Sequence, residues 1–363
     1  MSTLLLQNPN EQADIQFARD FCRQFCSSGM RQKFVLGRNV YAESVARFVD
    51  IAGFIDDYTG NSSYLGRPIL RAEDVPRDAL VLTASGGRPL SAKRRIDELG
   101  IQCLDYFAFH KYSGLPLAPI VFNEGFAEDF HAHEVEYERI HDLLGDETSR
   151  SILRKLVSFR LTYDLDHLVG FSSRESEQYF EEFLQLRQEN ETFIDVGGYN
   201  GCNSLEFISL CPGYRAVHIF EPEPVNYQAC ARGMRNHANV HVHQAGLSNR
   251  KAILKLDSLG SGSRISDEGS TTIAVDRLDA FLADGDTPTF IKMDIEGAEL
   301  PAIEGACQTI KTHHPRLAIG VYHNAGDFWR IPKAVFAIRR DYRVYLRHYT
   351  ESIYETVMFF MPR

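Results

Sequence analysis

From residue 33 onward the chain alternates short apolar runs with longer amphipathic stretches. Phe34-Val35-Leu36, Ile51 to Ile55, Val81 to Ala84 and Ile101 to Leu104 are runs of the kind that parallel strands buried on both faces show. Between them, Val40 to Val49 carries Val45, Phe48 and Val49 at helical spacing, and Ser91 to Leu99 also suits a helix. Polar residues 1–30 precede this region and predict a helix over Glu11 to Phe25. Strands alternating with helices predict a small parallel sheet, so residues 31–120 are expected to form a first Rossmann-like domain behind an N-terminal helical segment.

Residues 121–190 are richer in charged and aromatic side chains. Glu134 to Leu144, Glu147 to Leu161 and Glu175 to Leu186 suit amphipathic helices, with Ser173 as a possible N-cap, so a helical connector is expected. His131, His133 and His141 are spread over it and read as solvated helix faces.

Residues 191–363 repeat the alternation more clearly. Phe193-Ile194-Asp195-Val196 runs into a turn with Gly197, Gly198 and Gly201, then a helix-compatible stretch from Asn203 to Leu210. Strands follow at Ala216 to Phe220, Val240 to Gln244, Thr289 to Met293 and Leu317 to His323, with a helix over Val225 to Met234. Lys251 to Leu256 and Thr271 to Val275 read as extra strands around a Gly/Ser-rich stretch, Leu259 to Ser270, that suits a mobile lid. Tyr342 to His348 and Tyr354 to Phe360 predict an antiparallel hairpin that closes a seven-stranded sheet.

The polar residues that interrupt these runs carry the candidate chemistry. The turn after the first strand reads D-x-G-G-x-x-G, not the dinucleotide fingerprint G-x-G-x-x-G. An acid before the glycines repels a pyrophosphate but can accept hydrogen bonds from an amine-bearing ligand, such as the methionine part of S-adenosylmethionine. The alternative is an ordinary strand-to-helix turn with a solvated Asp195. The second strand ends in Glu221, about 20 or more residues past that turn, where a carboxylate can bind both hydroxyls of a ribose. Glu221 can equally cap the helix that follows. In Lys292-Met293-Asp294-Ile295-Glu296-Gly297-Ala298-Glu299, three acids surround a glycine at a strand end. Acids there can bind an ammonium, orient a hydroxyl or hold a cation. His323 ends the next strand, at the edge where open α/β sheets bind ligands.

Composition narrows the classes. Hydrophobic residues make up 44% and charged residues 24% of the 363, ordinary for a globular protein. A net charge of −10 disfavours nucleic acid as a partner. Seven cysteines with no C-x-x-C fit reduced thiols and a cytoplasmic location, and Cys22 and Cys26 lack the second ligand pair of a zinc site. Leu4 to Leu6 has no basic segment before it, and no apolar run reaches the ~18 residues of a membrane helix. Neither glycine-rich turn fits an NAD-dependent oxidoreductase.

The ordered set Phe193 to Gly201, Phe220-Glu221-Pro222, Leu247-Ser248-Asn249, Val275 to Asp279, Ile291 to Glu299 and Pro315 to His323 resembles the FkbM family of S-adenosylmethionine-dependent methyltransferases. The resemblance implies an α/β fold with two Rossmann-like domains, the C-terminal one (191–363) a seven-stranded class I methyltransferase sheet with an antiparallel terminal hairpin. It implies that Asp195 and the backbone of Gly197, Gly198, Tyr199, Asn200 and Gly201 hold the methionine end of the cofactor. Glu221, beside Pro222, would hold the ribose, Gln244 and Ala245 flank the adenine, and Asp294 and Glu296 line the space near the methyl group. The implied reaction is O-methylation of a saccharide or secondary-metabolite hydroxyl, with neutral His323 as base and Asp294 as the second candidate. Asp294 and Glu296 offer Mg²⁺ two oxygen ligands without an evident third, so no metal is expected. The alternative is a non-catalytic nucleotide- or sugar-nucleotide-binding protein on the same fold.

The first domain resembles the N-terminal sugar-nucleotide-binding domain of bacterial sugar acyltransferases. Phe34 to Gly37, Gly53 to Asp57, Gly66 to Leu70 and the strand at Val81 carry this likeness, although its first turn keeps a single glycine. A homodimer with no nucleic-acid or membrane partner is expected.

Overall fold

The computed structural model describes residues 4–257, 264–265, 269–282 and 285–363. Most of the stretch expected as a lid, Leu259 to Ser270, lies outside them. The chain divides into two compact units. One comprises Met1–Glu128, Ser151–Glu175 and Tyr349–Tyr354, and the other Asp129–Arg150, Ser176–His348 and Glu355–Arg363.

In the first unit six strands form one sheet: β1 (Lys33–Leu36), β2 (Gly53–Ile55), β3 (Ser63–Tyr64), β4 (Arg67–Leu70), β5 (Leu80–Thr83) and β6 (Gln102–Asp105). Their order is β3-β4-β2-β1-β5-β6. All neighbours are parallel except β3 and β4. Phe34, Ile55, Val81 and Ile96 share its core. The Asn39 side chain caps the helix Val40–Phe48 by accepting from the backbone N–H groups of Tyr41 and Ala42.

In the second unit the strands are β7 (Thr192–Val196), β8 (Ala216–Phe220), β9 (Val240–His243), β10 (Gly246–Leu247), β11 (Ala252–Asp257), β12 (Arg264–Ile265), β13 (Thr271–Asp276), β14 (Phe290–Met293), β15 (Arg316–Gly320), β16 (Tyr342–His348) and β17 (Thr356–Pro362). Seven of them form a sheet of order β16-β17-β15-β14-β7-β8-β9, and β10-β13-β11-β12 form a second. β17 runs antiparallel to β15 and pairs with β16 as the expected hairpin. The five other strands of the large sheet are parallel. β7, β8 and β14 are buried throughout, which explains their nearly unbroken apolar sequences. Strand order reverses between β7 and β14, the position at which open α/β sheets bind ligands.

Two local expectations differ. Glu175 to Leu186 is not a helix: only the short 3-10 turns Glu175–Glu177 and Glu182–Leu184 form. Tyr179 and Gln185 lie in the left-handed region at φ 76° and 48°. The buried Tyr179 turns inward and donates its hydroxyl to Asp294, a tertiary bond that prevails over local helix propensity. β15 ends at Gly320, so His323 lies in the loop beyond it. The helix expected from Glu134 does form, after a kink at His133 (φ −130°, ψ 23°) that separates it from a further helical stretch beginning at Phe126.

The two charges that interrupt the buried strands face each other. Lys292 of β14 and Asp195 of β7 are register partners, and Lys292 Nζ lies 3.1 Å from Asp195 Oδ1. Ser204 donates to Asp195 Oδ2 at 2.7 Å from the helix Cys202–Leu210, and Lys292 donates to the Gly197 carbonyl at 2.6 Å. Removing one partner of such a pair strands a charge in the interior. Lys292→Met is therefore expected to destabilise the protein by about 3–5 kcal/mol, measured by urea unfolding followed by circular dichroism. The double variant Lys292→Met/Asp195→Asn is expected to recover much of that loss. A single variant within about 1 kcal/mol of wild type would contradict the assignment.

Candidate functional site

The carboxyl edge of the large sheet gathers most of the interrupting polar residues. After β7 the chain turns through Gly197 and Gly201, at φ 84° and 86°. A Cβ on Gly197 would lie 2.0 Å from the Asp294 carbonyl oxygen, and one on Gly198 2.2 Å from Ile219 Cγ2. These glycines thus let the turn pack against the ends of β14 and β8. Tyr199 (φ 47°) and Asn200, at the tip, are exposed.

Glu221, at the end of β8, is buried beside this turn. Its Oε2 accepts the Tyr199 backbone N–H at 2.8 Å and its Oε1 that of Glu223 at 3.0 Å. Burial raises its pKa, and these two bonds work against the rise. A carboxylate has about four acceptor sites, so these two backbone bonds do not exhaust it. Capping of the helix Pro224–Met234 falls instead to Glu223, which accepts from Asn226 N at 2.8 Å. Asp195 differs from Glu221, being fully buried against Lys292 and Ser204 behind the turn. Burial alone would lower the Lys292 pKa, but Asp195 and Asp294 hold it above the ordinary value. Pro222 is partly buried, Ala245 is buried, and Gln244 is exposed between β9 and β10.

Beyond β14 and β15 lies a second constellation. His323 Nε2 is 3.3 Å from Asp294 Oδ1 and 3.6 Å from Glu296 Oε2, and its Nδ1 is 3.0 Å from Glu299 Oε1. Tyr179 donates to Asp294 Oδ2, while the Tyr322 hydroxyl lies 3.3 Å from both Asp294 Oδ1 and Glu355 Oε1. Gln178 donates to Glu355 Oε2 at 2.6 Å, and the Asn324 backbone to Asp327 Oδ2 at 2.7 Å. Burial drives the carboxyls of Glu296, Asp327 and Glu355 up to about 7 each. Asp294 is only partly buried; that burial would raise its pKa, but His323 and Lys292 beside it hold it below the usual carboxylate range.

His323 was expected to be neutral near pH 7, and its surroundings reverse that. Burial disfavours the imidazolium, yet Glu299 and Asp294 together raise its pKa well above 6.5. The donor grouping also differs from the Asp294 and Glu296 pair considered for Mg²⁺ from the sequence. The atoms that lie within 4.8 Å of one another belong to Asp294, Glu299 and His323.

The structure thus brings Asp294, Glu296 and His323 together around one point, and the 197–201 turn and Glu221 around another. Tyr179, Tyr322, Asp327 and Glu355 had no assigned role in the sequence, because only folding draws them to this edge. Lys292 did carry a signal: a lone cation inside an apolar strand next to one holding a lone acid. Among the described residues no helix is long and apolar enough to cross a membrane.

Residues 195–353 match the family model of the methyltransferase FkbM domain. Among solved structures, methyltransferase FkbM from Methylobacillus flagellatus KT aligns with a TM-score of 0.75 and 24% identity, over 95% of this chain and 93% of its own. This likeness is one of fold. A putative rRNA-methylase from Clostridium thermocellum aligns at a TM-score of 0.38 and 7% identity, over 53% of this chain and 97% of its own. An rRNA methylase from Streptococcus thermophilus aligns at 0.34 and 13%, over 50% and 92%. No curated protein matches the chain significantly. The likeness to the methyltransferase FkbM domain thus covers residues 195–353, somewhat less than half of the chain.

Proposed function

We propose that the second unit transfers a methyl group from S-adenosylmethionine to a hydroxyl of a saccharide or secondary-metabolite acceptor. The observation that carries this reading is the meeting, at one reversal of strand order, of a glycine turn, a ribose-competent carboxylate and an acid–histidine cluster. The residues fit such a cofactor. Glu221 has acceptor directions left for a ribose diol, and the backbone of 197–201 turns at the exposed edge beside it. Asp195 acts from behind, bracing that turn through Lys292 rather than reaching the ligand. Gln244, Ala245 and Pro222 flank the nucleoside, and Asp294 and Glu296 line the acceptor side. When bound, S-adenosylmethionine supplies an electrophilic sulfonium methyl. The chain's own contribution is to align the acceptor hydroxyl and receive its proton. Asp294 and His323 are the groups assigned to that task, His323 serving as base only once it has lost its own proton.

The first test is calorimetric titration with S-adenosylmethionine. Micromolar binding is expected, and Glu221→Ala is expected to weaken it roughly 10- to 150-fold, the equivalent of about 1.5–3 kcal/mol for a charge-assisted hydrogen bond. Folded wild type that binds a nucleotide sugar but no S-adenosylmethionine would favour a non-catalytic binding protein on this fold.

The cluster also sets a pH dependence of stability, to be measured as the melting temperature of chelator-treated protein. Glu296, Asp327 and Glu355 keep their protons up to about pH 7, whereas the unfolded chain releases them near ~4. Stability from these groups is complete below ~4 and declines as pH rises toward 7. His323, whose folded pKa is raised, extends the decline above ~6.5. Asp294, whose folded pKa is lowered, opposes it only on the acid side. The melting temperature is expected to peak at mildly acidic pH and fall toward pH 8. The triple variant Glu296→Gln/Asp327→Asn/Glu355→Gln is expected to flatten the fall below pH 7, and an unchanged slope would refute this account.

A further inference from the structure

We propose that Asp294, Glu299 and His323 form a binding site for a divalent first-row transition cation, such as Mn²⁺ or Zn²⁺, at the acceptor edge of the sheet. Each offers one donor atom, and the three atoms lie within 4.8 Å of one another. Three donors bonded tetrahedrally to one cation at ~2.1 Å lie ~3.4 Å apart, so loading must draw the set together by up to about 1.4 Å. The donors come from the loops beyond β14 and β15 and from the first turn of the helix Glu299–Gly305. These elements belong to one unit, so the site exists once that unit has folded.

An independent observation points to a missing partner. The Glu299 side chain is 1% exposed. Its Oε1 accepts the Ile295 backbone N–H at 3.0 Å and faces His323. Its Oε2 is buried and has no hydrogen-bond partner among the described residues. A carboxylate oxygen left so in the interior is costly, and a cation removes the deficit. The charge balance agrees. Asp294, Glu296, Glu299, Asp327 and Glu355 share this edge with a single imidazole, His323, while the Lys292 ammonium is committed to Asp195 and the Gly197 carbonyl. Tyr179 and Tyr322 add hydroxyls but no positive charge.

The donor chemistry selects the cation. Mg²⁺ favours an all-oxygen shell that keeps several waters, whereas one imidazole beside two carboxylates suits Mn²⁺, Fe²⁺ or Zn²⁺. Ligation displaces the proton from His323, so in the loaded protein His323 is a ligand and its role as base belongs to the metal-free form. Three protein donors leave coordination positions open to water or to an acceptor oxygen. That last role rests on the proposed methyl transfer; cation binding does not.

The test uses full-length protein freed of metal with a chelator and titrated with MnCl₂, free Mn²⁺ being followed by electron paramagnetic resonance. One Mn²⁺ per chain is expected to bind in the micromolar range. Glu299→Gln and His323→Gln are each expected to weaken binding at least ~10-fold. Co²⁺ is expected to show visible absorption bands that Asp294→Asn alters, an independent readout should the Glu299 variant fail to fold. Absence of saturable Mn²⁺ and Zn²⁺ binding to folded wild type would overturn the proposal. So would binding that none of the three variants disturbs. Titrating the same metal-free protein with S-adenosylmethionine separates the two ideas: cofactor binding without cation binding removes only the cation site, and the reverse removes only the methyl-transfer reading.

Discussion

The buried ion pair between Asp195 and Lys292 joins the parts on which the rest of the site depends. It links β7 to β14 at the reversal of strand order, ties the helix Cys202–Leu210 through Ser204 and fastens the glycine turn through the Gly197 carbonyl. Both side chains are almost fully enclosed, so neither charge is tolerable without the other. The pair also specifies register. Sliding β14 by one residue past β7 would turn Lys292 to the opposite face of the sheet and leave Asp195 unpaired.

Beyond that pair the edge changes character. Around the glycine turn, groups are satisfied by backbone bonds and leave acceptor directions toward a nucleoside. Around His323, carboxylates outnumber cations, and the imbalance is met by protons held at unusual pH or by a bound cation. The two ends of this edge thus differ: hydrogen bonds to backbone around the glycine turn, and closely packed carboxyl groups around His323. A methyl acceptor that loses a hydroxyl proton is well served by groups whose protonation is poised near neutrality, or by a cation that replaces those protons.

The strands of the large sheet were legible because parallel strands covered on both faces must be nearly all apolar, and few other arrangements share that pattern. Asp195, Glu221, Asp294 and His323 were legible because each breaks or ends such a run. The segment Glu175–Leu186 misled because its amphipathic spacing is genuine, yet Tyr179 gains more from reaching Asp294 than the local backbone gains from a helical turn. The charge state of His323 misled for a related reason: an isolated histidine is mostly neutral at pH 7, and the carboxylates that raise its pKa, Asp294 and Glu299, belong to a segment distant in the chain.

By itself the sequence determined the alternation of elements, the seven strands of the large sheet and the polar residues at strand ends, since these follow from periodicity and local backbone demands. Only tertiary structure decided how those polar residues answer one another: that Lys292 neutralises Asp195, that Glu223 rather than Glu221 caps the next helix, and that Glu299 stands against His323. The physical reason is that pairing energies and pKa values depend on distances of a few ångströms between atoms far apart along the chain, and a one-dimensional pattern carries no record of those distances.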